Sequence, residues 1–212
     1  RRAFNETFAE NGLDWHWTQD DYRMLLRVTG GKERMAAHRA NVGYGPDDAV
    51  IARLHAEKTE RYGTIIAAGG LTLRPGVAEV MDAARKAGLA LAVATTTSRP
   101  NVEALSQAVW GCPAEKVFDV IAAGDEVAAK KPAPDVFNLA LERLAVPAAA
   151  ALAFEDSRNG VLSAKAAGLR VIVTPSLYTS GDDLSQADWC LPGLDARPLP
   201  APLAAALGSY CS

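Results

Sequence analysis

Apolar residues recur at helical spacing through the first third of the chain and gather into short continuous runs after it. Phe4 and Phe8, one turn apart, make residues 1–10 an amphipathic helix. Thr18 is placed to cap a second helix running to about Val28, which Gly30-Gly31 breaks, and residues 32–41 predict a third. After a turn at 43–46, Asp47 and Asp48 open a longer helix to about Ala68, with Val50, Ile51, Leu54, Ile65 and Ile66 on its apolar side. No strand pattern precedes residue 70.

The pattern then changes. Residues 76–87 predict a helix stopped by Gly88, and Leu89–Ala94 is an unbroken apolar run, as expected of a strand buried on both faces. Helices at 101–109, 134–144 and 158–167 alternate with strands at 117–122, 151–154 and 171–173. Such alternation predicts an α/β fold: a Rossmann-like parallel sheet with crossover helices. A helical module at 10–70 is thus joined to an α/β module at 71–212 through a Gly- and Pro-rich hinge, Ala68–Pro75, with Gly69-Gly70 as its joint. Phe154 and Trp189 are expected in the core, and Asp182-Asp183 is expected to open a short helix.

Composition narrows the functional classes. The 212 residues are 49% hydrophobic and 22% charged, with a net charge of −3. No basic run exceeds a pair, which argues against nucleic acid or an anionic membrane as partner. No apolar stretch approaches the ~20 residues of a membrane span. Cys112, Cys190 and Cys211 lack paired spacing, which fits a reducing cytoplasm.

Three segments carry candidate chemistry, each at or beside a strand end. The strand ending at Phe154 runs into Glu155-Asp156, two hard oxygen donors where open α/β sheets bind ligands. They suit Mg²⁺, although Asp156 or Ser157 could simply cap the next helix. The run Thr95-Thr96-Thr97-Ser98-Arg99, with Asn101 just beyond, offers hydroxyls, backbone N–H groups and a guanidinium to an anion, or else forms a polar turn. In Lys130-Lys131-Pro132-Ala133-Pro134 two prolines stiffen the backbone around Lys131, while Lys130 is expected to face solvent. His16, His38 and His55 have no ligand spacing and read as surface residues, and Trp15-His16-Trp17 as packing.

Together these segments resemble the second, third and fourth motifs of the haloacid dehalogenase superfamily of phosphatases. KPAPDVF followed by FEDSRNG is similar to the subgroup holding β-phosphoglucomutase, phosphoglycolate phosphatase and CbbY-type sugar-bisphosphate phosphatases. The resemblance spans essentially the whole chain and implies that the helical module is a mobile cap. It implies that Thr95 and Lys131 act on the transferring phosphoryl group, and that Asp156 binds Mg²⁺, with Glu155 a ligand or the group that positions Lys131. The Thr96 backbone N–H is expected to help Thr95, and a second phosphate is expected at Ser98 and Arg99, with Thr97 and Asn101 as further candidates. Gly31, Lys32 and Arg34 of the loop GGKERM would close over it, with Tyr22 a weaker candidate. The implied substrate is a small sugar bisphosphate, xylulose 1,5-bisphosphate, hydrolysed by a monomer through an aspartyl-phosphate. A phosphosugar mutase and a non-catalytic phosphosugar- or protein-binding fragment remain as alternatives. The resemblance also places an Asp-x-Asp-Gly-Thr motif on a central strand ahead of the first helix. The chain opens inside that helix, so the natural N-terminus, the two Asp and the strand are expected to lie outside it, and residues 1–9 are expected to belong to the α/β core.

Overall fold

The computed structural model describes residues 1–69 and 71–208. Four helices come first: α1 (Arg2–Glu10), α2 (Gln19–Leu25), α3 (Gly31–Val42) and α4 (Asp48–Ala67). There follow α5 (Val77–Lys86), β1 (Ala92–Ala94), α6 (Arg99–Trp110), β2 (Val120–Ala122), α7 (Asp135–Leu144), β3 (Leu152–Glu155), α8 (Arg158–Ala166), β4 (Arg170–Val173), β5 (Trp189–Cys190) and α9 (Ala201–Leu207). Gly70 of the expected joint and Cys211 lie outside the described residues.

The helix starts follow local chemistry. Thr18 and Asp21 form a reciprocal capping box on α2, and Asp47 caps α4 by accepting the Val50 N–H at 2.9 Å. Apolar faces then decide the packing. Phe4 and Phe8 of α1 join Trp15, Trp17, Met35, Ile51 and Leu54 in one buried cluster. This corrects the assignment of residues 1–9 to the α/β core: α1 packs as part of the helical module, because its two aromatic rings find their partners on the cap side. The Trp15–Trp17 segment is packing, as expected, with both indoles almost fully buried.

All strand pairs are parallel, β1 with β2 and β3-β4-β5 in that order. Strand alternation divides the core. Val171 and Val173 of β4 face one side with α7 and α8, while Ile172 faces the other with α5 and α9. Among the described residues β1 and β3 are each paired along one edge only. The expected strand 89–94 shortens to Ala92–Ala94, and its residues are half-buried to exposed rather than buried on both faces. Phe154 is 42% exposed, not core: its face of β3 meets the α5/α9 cluster only at Leu152. Trp189 packs at the edge of that cluster. Asp182 and Asp183 start no helix; Asp182 instead accepts the Arg158 N–H at 3.1 Å. No helix among the described residues is long and apolar enough to cross a membrane.

Candidate active site

The C-terminal ends of β1 and β3 converge beneath the cap. Lys131 joins them: its Nζ donates to Ala94 O at 2.9 Å and pairs with the Glu155 carboxylate, over the Phe137 ring. Both side chains are largely buried, 11% and 9% exposed. Burial pushes the Glu155 pKa up, against the pull of the Lys131 ammonium. Gly160 makes room for this carboxylate, since a Cβ there would strike it. Glu155 is therefore committed to Lys131, and Asp156 is the carboxylate that faces the cleft.

The turn that carries Asp156 is held from a segment with no recognisable sequence signal. Thr179 Oγ1 donates to the Asp156 carbonyl and accepts the Ser176 N–H at 2.8 Å. Ser157 caps α8 by accepting the Gly160 N–H, so the cap does not use the Asp156 side chain.

At the end of β1, Thr95 continues the ladder through its N–H to Ala122 O at 3.0 Å, and its hydroxyl accepts the Thr97 N–H at 3.2 Å. That leaves the hydroxyl hydrogen free to donate. Asn101, 6% exposed, holds Thr97 by a 2.6 Å bond to its Oγ1. Ser98 stands at the N-cap of α6 yet makes no capping bond, and its Oγ is buried without a partner. A buried, unpaired hydroxyl at a helix N-terminus is suited to an anion. Arg99 is a correction: its side chain is exposed and lines no part of the cleft, and only its N–H is engaged, by Asp125.

The cleft between cap and core has two lobes, of about 540 and 680 Å³, which share Tyr22, Gly30, Arg34 and Thr96. Lys131 and Asp156 line the larger lobe; Thr97, Ser98, Asn101, Gly31 and Lys32 line the smaller. Arg34 is not the solvated side chain its position at a helix start suggests. It is buried, stacked over Tyr22, and donates to Leu25 O, Val28 O and Tyr22 Oη at 3.2–3.3 Å. Lys32 stays exposed. Tyr22 is both packing and lining, in contact with Phe4, Trp17 and Tyr178.

Three residues of this wall depart from what sequence reasoning expects. Lys130 does not face solvent freely but lies 3.8 Å from Glu33 across the cleft. His55 is no surface residue: it fills the space beside Gly31, and burial lowers its pKa to about 4. Lys58 escapes sequence reasoning altogether. It is 9% exposed, sits over the Phe4 and Tyr62 rings, and has no carboxylate within ion-pair distance among the described residues. Burial, with Arg34 nearby, lowers its pKa to about 8. The signal available is its spacing: it lies one turn after Leu54 on the buried side of α4.

The ammonium, guanidinium and hydroxyl groups around this cleft suit an anionic, phosphorylated ligand. The family model for haloacid dehalogenase-like hydrolases matches residues 1–168. The chain belongs to that family. It is 64% identical to the CbbY protein of Rhodobacter capsulatus over 196 residues, covering 92% of this chain and 86% of that one. It is 51% identical to CbbY of Cereibacter sphaeroides over 210 residues, covering 96% and 91%. A crystal structure of a CbbY variant from Rhodobacter sphaeroides in complex with xylulose 1,5-bisphosphate has a TM-score of 0.87 to this fold. That match is 51% identical and covers 92% of this chain and 86% of that one. The protein is a CbbY-like phosphatase of the family.

Proposed function

We propose that the protein removes one phosphate from a small sugar bisphosphate, xylulose 1,5-bisphosphate, with Mg²⁺ bound at Asp156. The observation that carries this reading is the two-lobed cleft, with cationic or anion-seeking groups at both ends. A monophosphate needs only the lobe of Lys131 and Asp156. Lys58 and the orphaned Ser98 hydroxyl in the other lobe, with Arg34 between the two, call for a second anion.

The donor chemistry fits Mg²⁺. Asp156 presents a hard carboxylate to the cleft, and among the described residues no three His, Cys or carboxylate groups converge. The cation would take its other positions from oxygens of water and phosphate, as Mg²⁺ prefers. When bound it supplies charge neutralisation at the phosphoryl oxygens.

The chain's own residues bind, orient and offset charge. Lys131, locked by Glu155 and Ala94 O, holds an ammonium where a transferring phosphoryl group would sit. Thr95 and the Thr96 N–H would donate to the same group. Such preorganised donors do most of the work in phosphoryl transfer, whose transition state is loose. In the smaller lobe Ser98, Lys58 and the remaining Arg34 N–H groups would take the distal phosphate, and closure of the cap would exclude water.

The test is inorganic phosphate release by the full-length protein from a panel of sugar mono- and bisphosphates, with and without Mg²⁺. Mg²⁺-dependent release favouring xylulose 1,5-bisphosphate is expected. Equal rates on matched mono- and bisphosphates would remove the two-phosphate reading.

A further inference from the structure

We infer that Asn159 is a positioning residue that fastens the cap loop Thr29–Arg34 to the core and thereby sets the preference for a two-phosphate substrate; this rests on the phosphatase reading above. Asn159 lies in the first turn of α8, three residues past Asp156. Both N–H groups of its side-chain amide cross to the cap, to Arg27 O at 3.0 Å and Thr29 Oγ1 at 2.9 Å. Among the described residues the other side-chain hydrogen bond between cap and core is Arg23 to Leu177 O, at 3.5 Å. The Lys130–Glu33 pair, at 3.8 Å and partly exposed, is a weak tie.

The place where the bond lands gives it leverage. Thr29 precedes Gly30, whose φ of +97° turns the chain into α3. Fixing Thr29 fixes the direction from which Gly31, Lys32 and Arg34 enter the smaller lobe. On the core side the bond starts from the helix that Asp156 and Ser157 introduce. The cap loop is thus held between the neighbour of Lys131 and a near neighbour of Asp156, although neither Asn159 nor Thr29 has an atom that phosphate chemistry requires. Releasing it opens the lobe for the distal phosphate while Lys131, Glu155 and Asp156 keep their geometry. The dependence is on donors: an Asp in place of Asn159 has the same shape and suits a helix N-terminus, but cannot donate to the Arg27 carbonyl.

Asn159→Ala, Asn159→Asp, Thr29→Val and Thr29→Ser would be made in the full-length protein. Amide hydrogen exchange over residues 27–34 and steady-state kinetics on xylulose 1,5-bisphosphate and on phenyl phosphate would be measured. Asn159→Ala, which loses both hydrogen bonds, should exchange faster over 27–34 and raise KM for the bisphosphate about tenfold; Asn159→Asp, which keeps an acceptor for the Thr29 hydroxyl but sets a carboxylate against the Arg27 carbonyl, should move both readings the same way, with KM up at least about threefold. The rate on phenyl phosphate should stay within about twofold of the parent. Thr29→Val should fall between, and Thr29→Ser should behave as the parent. Should Asn159→Ala fold poorly, Asn159→Asp and Thr29→Val probe the same contact from its two sides. Parent-like exchange and KM in Asn159→Asp would overturn the inference, as would equal losses on both substrates. Exchange is read without turnover, so absence of phosphatase activity in the parent would count against the proposed function alone.

Discussion

Lys131 in the core and Lys58 in the cap are both buried lysines lying over aromatic rings, and they face different lobes of one cleft. Lys131 is compensated: Glu155 and a backbone carbonyl hold its ammonium in place. Lys58 has no such partner among the described residues, and its pKa falls to about 8. A charge that folding leaves buried and unpaired opposes stability unless something outside the chain completes it. Lys131 is therefore compensated before any ligand arrives, whereas in the proposed function Lys58 is compensated by the distal phosphate. The same split separates Glu155, engaged with Lys131, from Asp156, open to the cleft.

The sharpest test of this contrast is Asp156→Ala. Its side chain is exposed, so circular dichroism and melting should match the parent, while Mg²⁺-dependent turnover falls on the order of a thousandfold. Retained activity would remove Asp156 as the metal ligand. Lys131→Ala should lose activity and also stability, by about 3–5 kcal/mol in chemical denaturation, because it strands a buried carboxylate. Lys58→Met should do the opposite to stability: a melting temperature equal to the parent or a few degrees higher, with KM for the bisphosphate up about ten- to a hundredfold. If Lys58→Met destabilises as much as Lys131→Ala, the two lysines are alike and the comparison fails.

A pH series tests the same residue without mutation. Lys58 is charged below about pH 8, so the preference for bisphosphate over monophosphate should fade as pH rises through 8. Folding lowers this pKa from 10.5, so between about 8 and 10.5 the unfolded chain binds more protons than the folded one. This group's contribution therefore favours folding increasingly across that window. The smallest effect is expected of Ser98→Ala: roughly a three- to tenfold rise in KM for the bisphosphate at unchanged stability, since no intramolecular bond is lost.

Much of the fold was legible in the chain. Thr18 and Asp47 announce their helices because capping is local chemistry, and the apolar runs before Thr95 and Glu155 announce strands because short continuous apolar stretches alternate there with helical segments. Thr95, Lys131, Glu155 and Asp156 could be singled out because strand ends and prolines mark them. The packing of α1 with the cap could not be foreseen, because an amphipathic face does not say which of two modules it joins. Nor could the exposure of Phe154 or Arg99, since each depends on what other elements leave uncovered.

The amino-acid sequence by itself determined the order of helices and strands, the family resemblance and the residues proposed to meet the transferring phosphate, all of which rest on short-range pattern. Only the tertiary structure decided which carboxylate faces the cleft, which lysine lacks a carboxylate partner among the described residues, and that Asn159 reaches Thr29 from 130 positions away. Those are properties of distance and burial, and they arise when residues far apart in the chain are brought out of water together.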